Sequence, residues 1–404
     1  MRSGKEYIAI TASGTVSPLG LHASGTGESW YDGQTRIKKH ERFGNAYAAA
    51  LPEEAEIRME ELKGKKKAFS HLDRSVLLAL LAAEELKPHI ELKRNLRIGV
   101  NIGSSRGATG LFEKDYDSFS SDKTMKTSAY TSPTTTLGNL SSWVMQHLEL
   151  HGPIISHSIT CSTAMQALIN GIAWLKADMA DMFIVGGTEA PLTPFTIAQM
   201  QSMNVYASEG MQNFPCMPLA AGHPNQNSMV LGEGASLFLL EKISEEELET
   251  RKVLAIIKGF GYGNEAIHSL TNISSGGEHF QKSMKMALQG CSPPDLILLH
   301  APGTAKGDAS ELHAINTVFA DNTPDLYSNK WQIGHTLGAS AALSIQNALD
   351  ILALGSCPSF PYPTPMAQQK NPIQSIMVNA AGFGGNSGSV VLGSGKASCQ
   401  SPPV

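Results

Sequence analysis

Short apolar runs rich in Val, Ile and Leu alternate along this chain with longer stretches that repeat at helical spacing. The runs "YIAITAS", "LRIGVNIG", "PIISHSI", "DMFIVGG", "GASLFLLE", "VLAIIKG", "DLILLH", "LYSN", "SIMVNA" and "GSVVLG" are predicted strands. Several are apolar at every position, which suits strands covered by helices on both faces. Between them, "VLLALLAA", "TAMQALINGIAWL" and "TLGASAALSIQNAL" read as helices that are buried on most sides. Alternation of this kind predicts an α/β fold.

The order of elements repeats. "ITASGTVSPLG", "IGVNIGSSRG", "SITCSTAMQAL", "FIVGGTEAP" and "GEGASLFLLE" are followed by "IIKGFGYGNEA", "LILLHAPGTAKG", "WQIGHTLGASAAL", "IMVNAAGFGG" and "NSGSVVLGS". Each series runs strand into glycine turn twice, then a reactive residue heading an apolar helix, then a glycine loop and a last strand. We divide the chain into residues 1–245 and 246–404, joined through "SEEELETRK". Cys161 and His335 hold equivalent places, each expected at a helix N-terminus, and a pseudo-twofold packing would turn the two ends toward each other. The first half is longer, with 58 positions from 103 to 161 against 35 from 300 to 335. Its extra segment, including "TSPTTTLGNLSSWVMQHLEL", is a candidate for substrate pocket or subunit interface.

Composition narrows the function classes. The 404 residues are 42% hydrophobic and 17% charged, with a formal net charge of −5, which gives no footprint for nucleic acid. Five cysteines, at 161, 216, 291, 357 and 399, form no CxxC pair and have no metal-like spacing with histidine. The expectation is a reduced, cytoplasmic setting. The start lacks an apolar core of signal-peptide length, the run at 76–83 is too short to span a bilayer, and the tail "GKASCQSPPV" reads as frayed.

The candidate chemistry begins at Cys161. A helix N-terminus presents unpaired N–H groups and a positive dipole end, and both favour thiolate. The plainer alternative is a small buried hydrophobe. His300 closes the strand of "LILLHAPGTAKGDASEL", where ligands commonly bind in α/β sheets, with a hydrogen-bonded core histidine as the alternative. Asp308 and Glu311 follow it, able to pair with basic groups or cap the next helix. In "NKWQIGHTLGASAAL" Lys330 precedes His335 by five residues. The helix dipole should keep His335 neutral, so that its N–H can serve a developing oxyanion. "NAAGFGGNSG" brings glycines around Phe383 that allow close backbone approach. A strand follows it, so it is not a dinucleotide fingerprint.

In this order the motifs resemble the β-ketoacyl-acyl carrier protein synthases, the elongating condensing enzymes of fatty acid and type II polyketide synthesis. The resemblance rests on "GTVSPLG", "GSSRG", "TCSTA", "GGTEA", "GEGA", "HAPGTAKGD", "GHTLGASA" with Lys330, and "GFGGNSG". It implies a thiolase-like fold of two pseudo-duplicated αβαβα-layered halves, usually dimeric. It implies catalysis by Cys161, His300, His335 and Lys330, and an oxyanion hole and gate at Phe383 with Gly382 and Gly384. Asp308 and Glu311 would support the site, and Arg106, Thr134 and Thr304 would border the substrate pocket. It further implies an acyl carrier protein as partner, a homodimer or a heterodimer with a ketosynthase-like subunit, and no cofactor, metal, nucleic acid or membrane span.

This chain departs from the family pattern at several places. "HAPGT" stands for His-Gly-Thr, "PLAAGHPNQNSM" for an arginine-containing stretch, Ala381 for phenylalanine, Ser344 for glutamate, and Arg106 for an apolar pocket residue. These changes leave the catalytic groups in place and point away from a housekeeping enzyme, toward a specialised pathway such as polyene pigment synthesis. A thiolase-type acyltransferase would need a second late cysteine, and a chain-length partner subunit would lack Cys161. The run "KGKKK" at 63–67 would help dock an acidic carrier or simply be solvated. His157 reads as a core histidine, and His223, His268, His279 and His313 carry no catalytic expectation.

Overall fold

The computed structural model describes residues 5–21, 27–90, 95–121, 126–208, 213–220, 225–266, 273–364 and 372–395. His223, His268, Cys399 and the C-terminal tail from residue 396 lie outside the described residues. The main strands are β1 (Glu6–Ser17), β2 (Ile98–Gly103), β3 (Ile154–Ile155), β4 (Met182–Glu189), β5 (Gly234–Ser244), β6 (Ala255–Asn264), β7 (Leu296–Leu298), β8 (Asp325–Tyr327), β9 (Ser375–Gly382) and β10 (Asn386–Ser394). The main helices are α1 (Arg74–Glu84), α2 (Thr163–Lys176), α3 (Glu278–Ala287), α4 (Ala305–Phe319) and α5 (Ser340–Leu354).

Each of the ten apolar runs becomes one of these strands. They line up as β8-β7-β9-β10-β6-β1-β5-β4-β2-β3. Read outward from the centre, β1-β5-β4-β2-β3 and β6-β10-β9-β7-β8 are the same path taken twice. In each half the outer three strands are parallel and the inner pairings antiparallel. The halves meet where Ile8–Ile10 pair antiparallel with residues 255–257. The duplication visible in the motif order is therefore a duplication of topology.

Period-two alternation explains why the strands are apolar throughout. Leu296 and Leu298 enter a central core with Ile376 and Val378, whereas Ile297, Leu299 and Met377 enter an outer core under α3 and α4. In the first half Phe183 and Val185 face the centre, and Ile184 faces the layer that holds α1. Helices α2 and α5 pack against each other in that central layer, between the two halves of the sheet. The result is an αβαβα stack. Gly171 lets α2 settle onto β4, since a Cβ there would lie 2.4 Å from Val185.

The segment Leu337–Leu354 is long and apolar enough by composition to cross a membrane, but it is 83% buried within the fold. It is the centre of the protein's core. Two expectations shift in detail. "PIISHSI" keeps only two strand residues, because Ile159 N donates to Thr163 Oγ1 and His157 bonds Asn101 and the Thr163 carbonyl, drawing the rest into a loop. His157 is thus a hydrogen-bonded core histidine. In "KGKKK", Lys63 and Lys65 pair with Glu60 and Glu84 at a solvated helix end.

Candidate active site

Cys161 sits two residues ahead of α2 on a strained approach. Thr160 takes φ +48°, a left-handed conformation that is costly for a β-branched residue. It is held there because Thr163 Oγ1 donates to the Thr160 carbonyl at 2.6 Å and Thr160 Oγ1 donates to the Phe383 carbonyl at 3.2 Å. The same Phe383 carbonyl accepts from Asn386 Nδ2 at 2.9 Å. Strand β9 ends at Gly382, and the Phe383–Gly385 turn, with Gly384 and Gly385 at positive φ, leads into β10. A Cβ on Gly382 would lie 1.9 Å from Thr160 Oγ1 and 3.1 Å from Cys161 N, so only glycine fits against the cysteine.

His300 follows the end of β7. Its backbone N–H donates to Glu311 Oε1 at 3.0 Å, Ala301 N donates to Oε2 at 2.8 Å, and Asn379 Nδ2 adds a third donor at 3.1 Å. Asp308 accepts from Gly303 N, Thr304 N and Leu219 N, which fixes the turn after His300. Both acids therefore hold backbone N–H groups, Glu311 takes a side-chain donor as well, and both lie near enough to Lys330 to favour its charge. Burial raises the pKa of each, that of Asp308 to about 7. His335 does not cap a helix directly, as the sequence reading had it. It follows Gly334, which ends the short helix Lys330–Ile333 at φ +68°, and a 3-10 turn at Leu337–Ala339 separates it from α5. Its backbone N–H donates to the Val230 carbonyl at 2.7 Å. Lys330, 2% exposed, donates from Nζ to the Leu299 carbonyl at 3.2 Å, behind both histidines.

The rings of His300 and His335 stand edge to face with centroids 5.2 Å apart. Cys161, His300, His335, Gly382, Phe383 and Thr304 line one cavity of about 430 Å³. Ala381 lines it as well, opening the volume that a phenylalanine would fill. Arg106 and Thr134 are not among its lining residues. The Arg106 guanidinium turns to Gln199 Oε1 at 2.6 Å, and the Thr134 hydroxyl bonds the Tyr130 carbonyl in its own helical turn. Cys161 is the one cysteine in the lining, and among the described residues no group of three or more His, Cys, Asp or Glu side chains is placed to hold a metal ion.

The electrostatics revise the sequence expectation for the thiol. Burial, then the Glu189 carboxylate, push Cys161 up to about 12, against the pull of Lys330. The dipole advantage does not outweigh the loss of solvent in the resting enzyme. Burial, then the Lys330 charge, bring His335 down to about 3, and His300 also lies well below the ordinary value through burial first, then the nearness of His335, Lys330 and His279. Both imidazoles are neutral at physiological pH, for a reason different from the dipole. Their folded pKa values are depressed, so they stabilise the fold above 6.5 and that stability is lost as pH falls below it, for His335 toward about 3. Decarboxylation of a malonyl thioester should accordingly show no acid limb centred near 6.5. A pH–rate profile with such a limb would contradict neutral histidines.

Two further groups carry no expectation from the sequence. Glu189, in "GGTEA", is fully buried and accepts from Ser104 Oγ, Ser105 N, Arg106 N and Gly338 N at 2.7–3.1 Å. It clamps the "GSSRG" turn of one half to the segment after His335 in the other. Glu189→Ala leaves these buried donors without an acceptor and should cost about 3 kcal/mol in denaturant unfolding. His279 carries no catalytic expectation from the sequence. It lines the cavity beside Phe280, with Nδ1 3.1 Å from Glu265 Oε2.

Comparisons with known proteins show what the whole chain is similar to. The Beta-ketoacyl synthase, N-terminal domain, matches residues 5–246, and the Beta-ketoacyl synthase, C-terminal domain, matches residues 254–361. Over 96% of its length the chain is 28% identical to the 3-oxoacyl-[acyl-carrier-protein] synthase 2 of Coxiella burnetii, covering 98% of that protein. Two solved structures share the fold. One is a type II polyketide acyl-carrier protein in complex with its ketosynthase, at TM-score 0.80 and 20% identity, with 96% of this chain and 99% of that one covered. The other is a ketosynthase in complex with its chain length factor from Xenorhabdus doucetiae, at TM-score 0.76 and 23% identity, with 96% and 98% covered.

Proposed function

Because the chain belongs to the β-ketoacyl synthase family, we propose that its cavity joins a Cys161-bound acyl chain to a malonyl thioester with loss of CO2. The observation that carries the reading is the convergence of one thiol and two neutral imidazoles, from opposite halves, on a single cavity.

In the first step the Cys161 sulfur attacks an acyl thioester, a new C–S bond forms, and the carrier thiol leaves with the proton. A thiol held near 12 does not ionise beforehand, so its proton moves to a neutral imidazole as the sulfur attacks. The backbone N–H groups of Cys161 and Phe383 hold the oxyanion, and Gly382 allows them to stand together. In the second step the malonyl thioester loses its carboxylate as CO2, and the electron pair passes to an enolate. His300 and His335 donate N–H bonds to its oxygen. The carbanion attacks the Cys161 thioester, the C–S bond breaks, the thiolate takes a proton from solvent to restore the Cys161 thiol, and a 3-oxoacyl thioester departs. Lys330 lowers the pKa of both imidazoles and of the thiol. Lys330→Met should slow Cys161 acylation by about tenfold or more, read in single-turnover kinetics.

We also propose an acyl carrier protein as the donor of both substrates and a second ketosynthase-like chain as subunit partner. The exposed Phe112, Tyr116 and Tyr130 of the 103–161 segment, with the edge strand at Ile154, support an interface there. The departures at Ala381, Ser344 and Arg106 support a specialised pathway, polyene pigment synthesis among them. Retention of Cys161 speaks against a partner subunit, and a single cysteine in the cavity speaks against a thiolase. The test is the reaction: acyl- and malonyl-loaded carrier protein should yield CO2 and a 3-oxoacyl product. Cys161→Ala should lose the product while still releasing CO2. Absence of product from the wild type would contradict the reading, and preference for saturated over polyene chains would contradict the pathway assignment.

A further inference from the structure

The catalytic cavity has a wall that the condensation steps leave unused. Glu265, at the end of β6, and His279, on the first turn of α3, both line it. Their side chains are each only 4% exposed. The two oxygens of Glu265 are treated very differently. Oε2 accepts from Ser274 Oγ at 2.8 Å and from His279 N at 3.2 Å, and it faces His279 Nδ1 at 3.1 Å. Oε1 is buried and has no partner among the described residues. A carboxylate oxygen left alone in the wall of a cavity is expensive unless something that enters the cavity satisfies it.

The free atoms define what that something is. His279 Nδ1 lies 3.1 Å from Oε2 but outside hydrogen-bond geometry, and it too is buried without a partner among the described residues. Glu265 Oε1 can only accept, whereas an imidazole nitrogen accepts or donates according to its tautomer. Saturated hydrocarbon satisfies neither, and a bare carbonyl has no hydrogen to give Oε1. A hydroxyl donates its one hydrogen to Oε1 and offers its lone pairs to the ring.

The position is that of the reacting chain. Glu265 N donates to the Gly385 carbonyl at 2.9 Å, which ties the pair to the turn carrying Phe383 beside Cys161. His279 is also near enough to His300 to depress its proton affinity. Resting on the condensing reading, we propose that Glu265 and His279 form a specificity-determining subsite that selects acyl thioesters bearing a hydroxyl group near the thioester over saturated chains of equal length.

The experiment compares a 3-hydroxyacyl and a saturated acyl thioester of the same length on the same carrier arm. Wild-type kcat/KM should favour the hydroxylated chain by at least about tenfold. His279→Phe should bring the ratio close to one, His279→Gln should retain part of the preference, and melting curves should show which variants are folded. If His279→Phe does not fold, Glu265→Gln serves instead, because it removes the acceptor charge, and it should likewise abolish the preference. Equal use of both chains by the wild type, or an unchanged ratio in the folded variants, would overturn the subsite and leave the condensing reading standing. Turnover of neither chain by the wild type would strike the condensing reading itself, and the subsite with it.

Discussion

Replacing His335 with alanine should lower decarboxylation of a malonyl thioester by about 100- to 1,000-fold, the loss that follows removal of one preorganised donor to a developing oxyanion. The size of the effect rests on three observations. The ring is neutral, held at about 3 by burial and by Lys330, so it offers one N–H and no competing charge. It is fixed, because its backbone donates to Val230 and accepts from Gly232. Nδ1 is buried without a partner among the described residues, which leaves Nε2 as the nitrogen the cavity presents. His335→Gln keeps a donor at a shifted position and should recover part of the rate. CO2 release followed in a Cys161→Ala background separates this step from acyl transfer. A loss below about tenfold would remove His335 from enolate stabilisation.

Gly382→Ala should be nearly as damaging to the other half-reaction. The added methyl would lie 1.9 Å from Thr160 Oγ1 and 3.1 Å from Cys161 N. To admit it, the Phe383 turn must move away from the cysteine, and the two N–H groups proposed for the oxyanion part company. Acylation of Cys161 should fall by about 100-fold. Thr160→Ala removes the nearest clashing atom, so the double variant Thr160→Ala with Gly382→Ala should regain much of the loss. Strictly additive effects in that cycle would deny the contact.

Much of this architecture was legible in the sequence because it rests on local signals. Apolar runs anticipated the ten main strands but not the short ones at Gly20–Leu21, Lys38–His40 and Ala46–Ala48, and the repeated order of strand, turn and reactive residue anticipated the repeated strand path. Thr304, Phe383 and Gly385 line the cavity. What the sequence hid depends on tertiary packing. The Cys161 pKa is set by burial and by Glu189, residues distant in the chain, so a local dipole argument had the sign wrong. Arg106 occupies the expected turn, but its long side chain reaches Gln199 on a neighbouring helix. His279 carries no motif in "GGEHFQ", and only the docking of α3 beside β6 places it at the cavity. Glu189 stood inside a recognisable motif, yet its task as a clamp appears only when Ser104–Arg106 and Gly338 arrive from different halves.

The most direct measurement is mass spectrometry of the protein after incubation with an acyl-loaded carrier protein, followed by digestion to locate the adduct. The expected result is one acyl group, carried by the peptide that holds Cys161 and absent from Cys161→Ala. An adduct on Cys216 or Cys291, or no adduct under turnover conditions, would contradict a thioester formed at the junction of the two halves.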